Sequence, residues 1–73
     1  MTTDTNPLNP LYPEVTATLS DGNVFAVIGA VRRALRRAGE SEAAAEWVEK
    51  ATSCGSYDEV LGLAMATVQI ELA

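Results

Sequence analysis

Apolar positions recur along this chain with two periods, and their order predicts five elements. Val15-Thr16-Ala17-Thr18-Leu19-Ser20 alternates apolar and hydroxylated residues, the pattern of a strand with one buried face. From Val24 to Ala38 the apolar residues Val24, Phe25, Ile28, Val31, Leu35 and Ala38 recur at spacings of three and four, which defines one helical face. Ser41 begins and caps a second helix, with Glu42 in its first turn and a core stripe of Ala44, Trp47 or Val48, and Ala51. Ser56-Tyr57-Asp58-Glu59 reads as a capping box, Ser56 at the N-cap and Glu59 three residues on. It opens a third helix through about Ala66, whose apolar side is Val60, Leu61, Ala64 and Met65. Thr67-Val68-Gln69-Ile70-Glu71-Leu72 alternates again and closes the chain as a strand.

The punctuation agrees with these boundaries. Asp21-Gly22-Asn23 turns the strand into the first helix, and either Asp21 or Asn23 can cap that helix's free amides. Gly39 ends the helix, with arginines just before it at the negative end of the dipole. Gly29 lies inside the helix, where glycine costs about 1 kcal/mol relative to alanine, and close packing against another backbone would account for it. Ser53-Cys54-Gly55 breaks the second helix, in which Glu46 and Lys50 form a favourably oriented pair. Pro7, Pro10 and Pro13 all fall in the first thirteen residues, which therefore read as an extended arm, a simple tail or one that docks Leu8, Leu11 and Tyr12 on a neighbour.

The expectation is one small α+β domain over residues 14–73, preceded by the arm at 1–13. The order is strand–helix–helix–helix–strand, and the two terminal strands pair in a small sheet covered by the three helices. About fifty residues separate the strands, so parallel and antiparallel pairing are both reachable. Each strand then keeps an open edge, and an open edge invites a second subunit, which favours a homodimer.

Composition sharpens that picture. Hydrophobic residues make up 48% of the 73, but twelve of them are Ala, so the core is thin. A domain this size usually relies on a metal, disulfides or a partner subunit. A lone Cys54 cannot close an internal disulfide, and without His a Cys-plus-His zinc site is impossible, so no cofactor is expected and oligomerisation is the remaining staple. Ten acids against five bases give a net charge of -5, which disfavours nonspecific binding to nucleic acid or anionic lipid. No run of 18 apolar residues spans a membrane. Met1 to Pro7 has no basic segment followed by an apolar one, so a cytoplasmic location is expected.

Several of these residues also form a recognisable pattern. Asp21-Gly22-Asn23-Val24-Phe25-Ala26-Val27-Ile28-Gly29, then Val31 and Ala34-Leu35-Arg36-Arg37-Ala38-Gly39, then Ala51-Thr52-Ser53-Cys54-Gly55-Ser56-Tyr57-Asp58 and a closing strand resemble a family of small proteins. Its members occur in actinobacterial genomes, phages, prophages and plasmids. The similarity covers about residues 14–72. Cys54 interrupts the family's Ser-Gly step, and Lys50 stands where an acid is common. The resemblance implies a bacterial or mobile-element origin and a single compact domain. It carries no catalytic residue over to this chain.

Arg32, Arg33, Arg36 and Arg37 place four of the five cations within six residues of one helix. They read as a solvated face paired with Glu40, Glu42, Glu46 and Glu49, as an anion or nucleic-acid contact, or as a contact for an acidic protein. Aromatic interleaving of the kind that stacks single strands is missing, with Phe25 expected in the core. Trp47 and Tyr57 are either core residues or interface anchors, both types being enriched at binding hot spots. Asp21-Gly22-Asn23 is turn and cap geometry rather than an anion cradle, since no Gly-Lys-Ser/Thr follows. Cys54 has no His to activate it and reads as a small loop residue. Six acids between Glu40 and Glu59 face one Lys without the spacing of a calcium loop, and read as solvated surface.

Enzyme chemistry is therefore not expected, and a core this small has no room for a buried substrate pocket of about 300 Å³. The leading expectation is a non-catalytic protein–protein interaction module of a bacterium or its phage, acting as a homodimer or by binding or inhibiting a host protein. A nucleic-acid accessory protein using the Arg32–Arg37 face is one alternative. A minor virion component whose arm laces into neighbours is another.

Overall fold

Residues 10–20 and 22–72 are described by a computed structural model. A strand β1 (Tyr12–Leu19) is followed by three helices, α1 (Val24–Arg37), α2 (Ser41–Thr52) and α3 (Tyr57–Thr67), and then by a strand β2 (Val68–Leu72). This is the α+β order read from the sequence, with the terminal strands paired in a two-stranded sheet. The pairing is parallel, as a connection of three helices permits. Residues 1–9 of the expected arm, and Asp21 as a candidate cap, lie outside the described residues.

The arm is shorter than expected, because Tyr12 and Pro13 already belong to β1 and Pro10 is buried. Leu11 N–H donates to the Ala66 carbonyl at 3.0 Å, tying this stretch to the end of α3. Pro13 has no N–H for the ladder and sits where the register slips: Tyr12 faces Val68 and Thr16 faces Gln69. From Thr16 to Leu19 the register is regular, with Val15, Ala17 and Leu19 turned into the core and Thr16 and Thr18 exposed.

Side chains no larger than valine fill most of the core. Leu35, Val27, Val31 and Val68 are the largest that are wholly enclosed, joined by Ala34, Ala44, Ala51, Val60 and Ala64. Trp47 adds the aromatic bulk: it is 2% exposed, and its Nε1–H donates to the Ile28 carbonyl at 3.0 Å. That bond gives the buried indole the acceptor it needs and ties α2 to α1. Thr67, buried at the end of α3, satisfies its hydroxyl by donating to the Leu63 carbonyl at 2.7 Å. The chain then passes directly into β2.

Helix ends show which caps operate. Asn23 caps α1, its Oδ1 accepting from Phe25 N–H at 2.7 Å. Gly39 adopts φ 86° after α1, its N–H donating to the Arg36 carbonyl and Glu40 N–H to that of Leu35. This pair of bonds is the Schellman arrangement, which favours glycine at that position. Ser56 caps α3 by accepting from Glu59 N–H at 3.2 Å. The Glu59 carboxylate reaches back to Gly55 N–H at 2.7 Å, one residue before the usual target of a capping box. Ser41 does not act as a cap: it is the first residue of α2, Glu40 holds the N-cap position, and no side chain bonds there.

Four expectations about packing are corrected. Phe25, Ala38 and Met65 are exposed rather than in the core, and Val27 takes the buried place on α1. Gly29 is not held by a close backbone, because a Cβ there would meet only the Arg33 guanidinium at 4.0 Å.

Candidate interaction surfaces

Phe25 stands on the first turn of α1 and Tyr57 is the first residue of α3. Both helix starts are capped by a side chain, so the backbone beneath each ring is held while the ring faces outward. Between them lies an open surface cleft of about 360 Å³, lined chiefly by Val24, Phe25, Ile28, Ala51, Tyr57 and Val60. Phe25 is 77% exposed and Tyr57 is 37% exposed. The Tyr57 hydroxyl lies 3.9 Å from where a Cβ on Gly22 would be, so Gly22, just before α1, sits beside it. The cleft is a volume that the sequence did not lead one to expect, and it sits at the surface rather than in the core.

The wheel geometry of α1 accounts for Phe25. At about 100° per residue, with Val24 as origin, Phe25 falls at about 100°, between Arg32 at about 80° and Arg36 at about 120°. Val27 falls at about 300°, beside Ala34, on the arc that packs. Spacings of three and four therefore admit Phe25, but the arginine positions exclude it from the buried face.

The four arginines, all exposed, divide into two pairs on different sides of α1. Arg32 and Arg36 extend the stripe begun by Phe25. Arg33 and Arg37 instead flank a groove of about 210 Å³ between α1 and β1, with Thr16, Ala17 and Thr18 along its strand side. Ala30 and Ala34 complete the helix side and leave it open. Two long cations and a strand edge make this groove suited to anionic, hydrogen-bonding ligands.

The remaining candidates separate cleanly. Of the two candidate anchors, Trp47 is buried in the core, while Tyr57 lies at the surface. Cys54 lines the cleft, half-buried, with its thiol donating to the Lys50 carbonyl at 3.4 Å. Among the described residues no three Cys, Asp or Glu side chains come together as a metal site. None of the described helices is long and apolar enough to cross a membrane. Neither a protein-family model, nor a curated protein, nor a solved structure matches this chain.

Proposed function

We propose that this protein is a non-catalytic protein–protein interaction module of the bacterial cytoplasm, encoded by a bacterium or its phage. Its contact surface is the Phe25–Tyr57 cleft, with Arg32 and Arg36 extending it along α1. One observation carries the reading: the one phenylalanine of a chain whose core is short of large side chains is 77% exposed on a firmly packed helix. Exposed aromatics beside an apolar cleft are the residues that partner proteins bury at binding hot spots. An apolar side chain of the partner enters between the two rings, and the arginines meet acids at the rim. Binding and inhibiting a host protein suits so small a module, and that refinement rests on the resemblance to mobile-element proteins.

Photo-crosslinking tests the reading. A benzoylphenylalanine in place of Phe25 is expected to capture a discrete protein from host lysate. The same probe in place of exposed Met65 captures none, and excess wild-type protein competes where a Phe25→Ser variant does not. Equal capture from both positions, or capture that nuclease removes, overturns it. The nuclease result would favour the nucleic-acid reading, for which the exposure of all four arginines speaks and their division into two pairs speaks against.

A further inference from the structure

We propose a second site, on another side of α1: the free edge of β1 beside Arg33 and Arg37 accepts an added strand. The occupant is an extended segment of a partner protein with carboxylates at alternate positions. Among the described residues β1 has β2 as its one strand neighbour, and no described strand pairs with the row of backbone N–H and C=O groups on its other edge. Along Thr16–Leu19 the pairing with β2 is regular, which leaves the groups of that stretch not bonded to β2 aimed at the opposite edge. The groove of about 210 Å³ lies alongside the same residues, Thr16 to Thr18, and Ala30 and Ala34 leave room on its helix side.

Spacing defines the occupant. Arg33 and Arg37 are four residues apart on a helix, about 6 Å along its axis. Alternate residues of a strand lie on one face about 6.6 Å apart. Two acids separated by one residue therefore meet the two guanidinium groups together, while the added backbone completes the ladder of β1.

Other occupants fit less well. A nucleic acid offers phosphates but not the alternating amide donors and acceptors of a strand. A second copy joined through β1 about a two-fold axis continues the sheet with both α1 helices on one face. Arg33 and Arg37 of each copy would then approach those of the other, like charge against like. The edge that first favoured a homodimer thus favours an acidic partner strand.

An octapeptide alternating Glu with Thr and Val, blocked at both ends, is the probe, titrated into the full chain and followed by amide NMR shifts. The expected shifts centre on Thr16–Thr18 and α1 around Arg33 and Arg37. A peptide of equal composition with its acids adjacent binds at least about fivefold more weakly, and Arg33→Gln with Arg37→Gln weakens binding about tenfold. Of two peptides N-methylated at alternate amides, one loses binding and the other keeps it, as strand addition requires. Equal binding of the two N-methylated peptides, equal binding of the adjacent-acid peptide, or shifts centred on Arg32 and Arg36 overturns the proposal. None of these results depends on Phe25, so the site fails or stands apart from the cleft.

Discussion

Val27 and Phe25 sit two residues apart on the same helix, and their fates are opposite. Val27 is 0% exposed and belongs to the buried core cluster, while the larger Phe25 stands in solvent at the cleft it shares with Tyr57. Hydrophobicity alone would reverse the two. The difference lies in which arc of α1 faces its neighbours: Ala34, Val31 and Leu35 share the arc of Val27, whereas Arg32 and Arg36 share that of Phe25. The packed end of the molecule is built from small side chains around one tryptophan, and the cleft end displays the aromatic groups the core does not use.

The sharpest way to break the packed region is at Trp47. Trp47→Ala should cost about 3–5 kcal/mol, from lost burial and the orphaned seam with α1. A domain of this size holds only about 4–11 kcal/mol in total, so the urea midpoint, followed by circular dichroism, should fall far below that of the wild type. Trp47→Phe keeps most of the ring but loses the bond to the Ile28 carbonyl, and should cost about 1–2 kcal/mol on the same assay.

Capping should sit below that. Ser56→Ala removes the acceptor for Glu59 N–H at the start of α3 and should cost about 1 kcal/mol in urea. Because Ser56 also lines the cleft, the same variant should loosen the setting of Tyr57 and broaden its ring signals in NMR. A smaller effect of opposite sign is expected at Gly29. A methyl group there meets ordinary contact distance, so Gly29→Ala should stabilise the protein by about 0.5–1 kcal/mol. A destabilised Gly29→Ala would show that α1 packs more closely than its present neighbours indicate.

Much of the fold was legible because local signals were strong and agreed. The alternation at Val15–Ser20 and Thr67–Leu72 marked the strands, although Thr67 closes α3, and the breaks at Asn23, Gly39 and Ser56 bounded the helices. Of the expected stripe Ala44, Trp47 or Val48, and Ala51, the structure buries Trp47 and leaves Val48 half-buried. Parallel pairing was not legible, because chain length alone allowed either direction. The cleft was missed for a different reason. Spacings of three and four admit a stripe that includes Phe25 and one that includes Val27, since both share Val24, Ile28, Val31 and Leu35. Only the angular positions of the arginines separate them, and that signal was present in the sequence. Pairing of Arg33 and Arg37 with the strand edge depended on how α1 lies against β1, which no local pattern carries.

The claim that α1 displays Phe25 rather than burying it is tested most directly by the unfolding free energy of Phe25→Ser. A displayed side chain predicts a value within about 0.5 kcal/mol of the wild type. A loss of about 3 kcal/mol or more, the range for truncating a core phenylalanine, would place the ring in the core and remove the cleft as a binding surface.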